Sequence, residues 1–295
     1  SNTTANGPWA QNPGTAVGTE YSCRQNFHLG FTDGLWNTDT TAATGSFGNI
    51  DNLGFTFPTP AALPGDSNYQ PYVATYAPGG TNQLIYPDAN LNSLGDIAFR
   101  YWSRDARADL ANDVPKHIPS RTADNNADFF NPDNDPAVWQ HLVNYTIGLG
   151  VTGARNPANY FDRSLPATAG DYDELLAGTL SWPATANDSI NNVDDLWHAA
   201  INSRGRYFSA GSPGSLVSSL SDALNDISSR TGSAAALAAN AGSVGSNTLV
   251  YQAKFNSADW SGRLLALSIN PTNGTVATIP TWDAASRLNL QNFNT

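Results

Sequence analysis

The chain has 295 residues, of which only 13% are charged, and its formal net charge of −11 leaves 14 lysines and arginines that form no basic cluster. That balance excludes a nucleic-acid backbone or an anionic membrane surface as partner, and no stretch approaches the ~18 apolar residues of a membrane span. The abundance of Asn, Thr, Ser, Ala and Gly at an acidic balance fits a secreted or surface protein, with ample length for a core.

Methionine is absent and the chain opens at Ser1 without a charged-then-apolar leader, so it is expected to be an excised piece of a longer precursor. Cys23 is the single cysteine. In an oxidising compartment it would pair with a partner outside this chain, and a free buried thiol is the alternative. Residues 1 to 20 form an extended lead-in. An apolar strand over 26 to 31 then runs into Thr32-Asp33-Gly34, a polar turn that presents a carboxylate at the strand's carboxyl end. In an open α/β sheet that rim is where ligands and ions bind. Asp33 therefore reads either as a turn-capping residue or as an oxygen ligand for Mg²⁺ or Ca²⁺. From 38 to 90 the chain is Gly, Pro, Thr and Asn interleaved with Phe47, Phe55, Phe57, Tyr69, Tyr72, Tyr76 and Tyr86. Such length predicts an ordered insertion packed on the surface, and the aromatics could alternatively make a sugar-binding face.

The helical pattern starts at 93. Leu94, Ile97, Ala98, Tyr101 and Trp102 recur at helical spacing, and Ser93 with Asp96 forms a capping-box pattern, which predicts a helix over 93 to 107. Asp135-Pro136 offers an N-cap and a first-turn proline for a helix over 136 to 145 with Val138, Trp139, Leu142 and Val143 as its stripe. A strand over 146 to 151, covered on both faces, follows. A second loop-rich insertion, 152 to 190, precedes a helix over 192 to 202, a short strand at 206 to 209 and a helix over 214 to 230 that ends with Arg230 and Gly232. Residues 233 to 247 read as a linker. Beyond it, 249 to 255, 263 to 269 and 275 to 278 read as consecutive strands, with Asn273-Gly274 as a hairpin turn.

Other chemistry-bearing residues are sparse. Asp124, Asn126, Asp128 and Asp135 match a calcium loop weakly, because Phe129 stands where the turn wants glycine and Asp135 already has a helix to cap. His28, His117, His141 and His198 show no metal-ligand spacing and read as packing or surface histidines. Gly65-Asp66-Ser67-Asn68 follows no apolar strand, so it makes a poor nucleophile elbow. Asp194 and Asp195 are explained by the dipole of the helix they start.

Several of these stretches together resemble a known family. Cys23-Arg24 to Asn37, Asp96 to Trp102, Trp139 to Val151, Asp194 to Ile201, Gly205 to Ser209, and Leu249 to Phe255 with Asp259 to Leu264 are similar to the PilC/PilY proteins of type IV pilus tips. The resemblance implies an α/β fold: a partial von Willebrand factor A-like, Rossmann-type layer over 1 to 232 with insertions at 38 to 90 and 152 to 190. A linker at 233 to 247 and antiparallel strands beginning a β-propeller over 248 to 295 would follow. It further implies a non-enzymatic, extracellular protein of the bacterial surface or pilus tip, serving pilus assembly, adhesion and twitching motility. Its partners would be pilin and minor pilin subunits and a host or abiotic surface receptor. An A-type metal site also needs an Asp-x-Ser-x-Ser loop, which this sequence lacks. Asp33 would then ligate Mg or Ca only in the intact domain, with no ion held by this chain alone. Two other readings are a secreted carbohydrate-binding module and an extracellular hydrolase, the latter without a recognisable nucleophile-base pair.

Overall fold

The structure is a computed structural model that describes residues 7–11, 13, 19–33, 35–36, 47–58, 73–122, 124–231, 236–239, 249–256, 261–270, 277 and 280–284. It is a mixed α/β protein that divides into two compact units, Ser1–Ala223 and Leu224–Thr295.

The described strands of the first unit are β1 (Phe27–Thr32), two short strands β2 (Phe55–Thr56) and β3 (Thr75–Tyr76) that pair with each other, and β4 (Val143–Leu149) and β5 (Tyr207–Ala210). Strands β1, β4 and β5 form an all-parallel sheet in that order, with Phe27 opposite Val143 and Thr146 opposite Tyr207. A parallel central strand is covered on both faces, and accordingly Val143 to Gly148 are buried without alternation. The helices are α1 (Leu94–Ser103), α2 (Asn125–Phe129), α3 (Ala158–Phe161), α4 (Tyr172–Leu176), α5 (Asn191–Asn202) and α6 (Pro213–Thr231). Helix α1 packs on α5, and α5 on β4.

Helix α1 begins as the sequence indicates. The Ser93 hydroxyl accepts from the Asp96 amide, and the Asp96 carboxylate accepts from the Ser93 amide, satisfying two otherwise orphaned donors. It ends at Ser103, and the segment after it turns away to bond with the stretch before β4. That stretch is the main departure from expectation. Residues 136 to 142 are not helical, and Asp135 caps no helix. Their backbone groups bond outward: Val138 to Val114, Gln140 to Ala106 and Leu142 to Tyr101. Gln140 and His141 are buried together with Val138 and Trp139, so no polar face exists for a helix to show to water.

The insertion over 38 to 90 differs too. Phe57, Tyr76 and Tyr86 are buried in the same cluster as Phe99, Trp102, Phe130, Trp139 and Trp197, with Phe47 and Phe55 partly buried against it. The insertion thus supplies the core rather than decorating it. Phe57 stacks on Trp139 with ring centroids 5.6 Å apart. The guanidinium of Arg204 is buried between Tyr86 and Trp102, 4.3 and 4.0 Å from their ring centroids.

The second unit carries an antiparallel sheet of β6 (Ala236–Ala239), β7 (Leu249–Asn256), β8 (Ser261–Ser268) and β9 (Trp282–Asp283) in that order. Val250 and Leu265 to Leu267 are buried. The hairpin turn expected at Asn273-Gly274 lies outside the described residues, as does most of the strand expected at 275 to 278. No helix among the described residues is long and apolar enough to cross a membrane.

Candidate functional site

The parallel sheet carries Asp33 where the sequence indicates, exposed just past the carboxyl end of β1. Among the described residues, strand β1 lies at one end of the sheet order. Alongside it runs an apolar groove of about 520 Å³ lined by His28, Phe31, Leu94, Ile97, Tyr101 and Leu142, among others. Phe31 is 65% exposed, unusual for a parallel strand, whose two faces are ordinarily covered. His28 is held by Asn144 of the neighbouring strand, Nδ1 to Oδ1 at 3.0 Å.

The residues of the calcium-loop pattern have separate tasks. Asp124 caps α2, accepting from the Asn126 and Ala127 amides. The Asn126 side-chain amide reaches the Thr81 carbonyl, and Asp128 accepts from the Thr122 amide and hydroxyl. Asp135 faces the interior, where its carboxylate accepts from the Trp102 indole at 3.0 Å and pairs with His141 Nε2 at 3.1 Å. Asp128 and Asn125 line a second cavity of about 320 Å³ together with Lys116 and Arg121. Cys23 is exposed and free, not buried. Tyr69, Tyr72 and Gly65 to Asn68 lie outside the described residues, and the described aromatics of the insertion are turned into the core, which leaves them no sugar-binding face.

A cluster that sequence reading passed over is buried at the start of α1. It combines Asp51 and Asp88 from the first insertion, Asp96 from α1, and Asp195, His198 and Asn202 from α5. Asp195 accepts from the Leu94 and Gly95 amides at 2.7 and 2.9 Å, capping α1 from another helix. Asp51 accepts from the Asp88 amide and from the Asn202 side chain. Asp88 accepts from the amide and side chain of Asn90. His198 donates from Nε2 to the Tyr86 carbonyl at 2.7 Å and stacks on Trp182. Its two nitrogens lie 3.5 Å from Asp51 and 3.5 Å from Asp88. Among the described residues, Asp51, Asp88 and His198 each offer one ligand atom within 4.8 Å of the others.

The electrostatics are those of crowded carboxylates out of water. Burial pushes the Asp51 carboxyl up to about 7 against the pull of His198, and pushes Asp195 up to about 6. Burial alone would pull the His198 imidazole down, but Asp88, Asp51 and Asp195 carry it up to about 9. Asp88 stays below the usual carboxylate range because its bonds to His198 and Asn90 outweigh its burial. Sequence gave no local sign of this cluster, since its members come from segments far apart in the chain and share no spacing motif. The acidic pair Asp194-Asp195 was visible, but not its use: Asp195 serves α1, while Asp194 accepts from the Ala154 and Arg155 amides.

Comparison with known proteins decides the family. The chain is 39% identical over 294 residues to the Type IV pilus biogenesis factor PilY1 of Pseudomonas aeruginosa strain PAK, covering 97% of this chain and 23% of that protein. This chain belongs to the PilC/PilY family. The proteins of the same name from strains PAO1 and UCBPP-PA14 are each 37% identical, over 97% and 96% of the chain. The chain spans about a quarter of the length of these relatives, 23 to 24%. No protein-family model and no solved structure matches it. PilC/PilY membership thus rests on similarity along nearly the whole chain, insertions included.

Proposed function

We propose that this chain is a segment of a non-enzymatic type IV pilus biogenesis protein, in which the parallel-sheet unit is part of a von Willebrand factor A-like domain and the antiparallel unit begins a β-propeller. The observation that carries the reading is the 37 to 39% identity to Type IV pilus biogenesis factors over 96 to 97% of the chain. The geometry supports it in two respects. A parallel order with Asp33 at the strand end is the arrangement that would place this carboxylate in an A-type metal site. The exposed Phe31 of β1 and the groove beside it are the surface on which further strands and helices of such a layer would pack. The partners would be pilin and minor pilins at the pilus tip and a receptor or abiotic surface, reached extracellularly.

The test is a segment exchange. Replacing the matching stretch of a Pseudomonas aeruginosa relative with this chain should preserve surface piliation, attachment and twitching; loss of all three with the hybrid protein stably made would reject the reading. Within the intact protein, Asp33→Ala should abolish divalent-ion-dependent attachment while leaving the fold standing, because the residue is exposed at the rim. In the isolated chain, one carboxylate cannot replace a hydration shell, so ion titrations of Asp33→Ala and of the unmodified chain should superimpose.

A further inference from the structure

We propose that Asp51, Asp88 and His198 hold a buried divalent transition-metal ion, of the chemical type of Zn²⁺, at a site separate from Asp33. The three residues are 0%, 8% and 1% exposed, and their ligand atoms converge within 4.8 Å.

Two further observations point to a ligand there. The first is the imidazole's orientation. With Nε2 donating to the Tyr86 carbonyl, Nδ1 is the nitrogen that can carry either a proton or a metal ion, and although fully buried it makes no close hydrogen bond. It faces Asp88 Oδ2 at 3.5 Å, longer than a good hydrogen bond. A cation between the two atoms would be held by both. An imidazole fixed through one nitrogen by a backbone carbonyl, with the other nitrogen aimed at carboxylates, is the orientation that a metal-bound histidine takes. The second is the residue beside it. Position 95 is glycine, and a Cβ there would collide with Nδ1 and Cε1 of His198, so the backbone of α1 packs closely on the ring and fixes the direction in which Nδ1 points.

Asn202 is buried close by: its Nδ2 donates to Asp51 Oδ2 at 2.9 Å and to the Gly95 carbonyl at 3.2 Å, and its Oδ1 has no hydrogen-bond partner. Two buried carboxylates, Asp51 and Asp88, each lie 3.5 Å from a nitrogen of the same imidazole. In the metal-free chain a proton on Nδ1 takes the ion's place, and binding releases it. One nitrogen with two or three oxygens suits a four-coordinate Zn²⁺; Ca²⁺ takes roughly six to eight oxygens, more than this pocket of side chains can offer.

The test uses the full 295-residue chain, stripped with a chelator and then given Zn²⁺. One ion per chain should survive gel filtration by elemental analysis, the melting temperature should rise by several degrees, and chelator should reverse both. X-ray absorption at the zinc edge should show nitrogen and oxygen neighbours without sulfur. Asp88→Asn and His198→Gln should bind at least about tenfold more weakly, while Asp33→Ala should bind as the unmodified chain does. The proposal is overturned if the unmodified chain retains no zinc and melts unchanged. It is equally overturned by a sulfur neighbour, which would assign the ion to Cys23, or by undiminished binding in both ligand variants. Should those variants fail to fold, stoichiometry and absorption spectrum of the unmodified chain decide alone.

Discussion

Gly205 shows how tightly single positions are specified. It precedes β5 at a point where the backbone of Asn144 in β4 passes so close that an added methyl would sit inside the Asn144 carbonyl. Gly205→Ala should therefore cost about 1–3 kcal/mol or more, the range for overpacking against rigid neighbours, read as a lowered midpoint in urea. Asp194 sets a pH dependence. Burial raises its carboxyl from 3.8 to about 6, against the two amides that bond it. The folded chain thus holds this proton more tightly than the unfolded chain, so the contribution is full below pH ~4 and fades as pH rises to about 6. Urea melts at several pH values should show stability falling over that interval, and Asp194→Asn should make the fall shallower. These residues also mark what sequence can reveal. Asp33 is legible because strand, turn and carboxylate are contiguous. The cluster of Asp51, Asp88 and His198 is not, because only the fold brings its three segments together.

The elements were legible where their partners were local. Helix α1 announces itself through its own stripe and capping box, and α5 through its apolar spacing. Residues 136 to 142 carry a helical stripe yet bond outward to Val114, Ala106 and Tyr101, so tertiary pairing overrode a pattern that is helical on paper. The first insertion was misjudged for a similar reason: aromatics in a Gly- and Pro-rich stretch say nothing about which side they face. Phe57 gives the measurable consequence. It stacks on Trp139 and meets Trp102 at 5.5 Å between centroids, so Phe57→Ala should destabilise the fold by about 3–5 kcal/mol although it lies in what looks like a loop. The opposite holds for Phe31 of β1. Being 65% exposed, it should tolerate Phe31→Ser within about 0.5 kcal/mol, and the variant should bind less of an apolar fluorescent dye than the unmodified chain.

At the scale of the whole molecule, charge governs behaviour in solution. A formal charge of −11 and a sequence pI near 4.5 keep chains apart at neutral pH. Light scattering should rise steeply as pH approaches about 4.5, where that repulsion vanishes and exposed apolar side chains such as Phe31 can associate; salt at neutral pH should move the chain only part of the way. Another whole-chain consequence follows from the cap that Asp195 places on α1. The amides of Leu94 and Gly95 find their acceptor 101 and 100 residues later. A chain that emerges from its N-terminus at ~5–20 residues per second therefore leaves these donors to water for roughly 5–20 s before the carboxylate arrives. During that interval the aromatic face of α1 is without α5 to cover it. A nascent chain should accordingly stay protease-sensitive until about residue 202 is free, and then become resistant in one step.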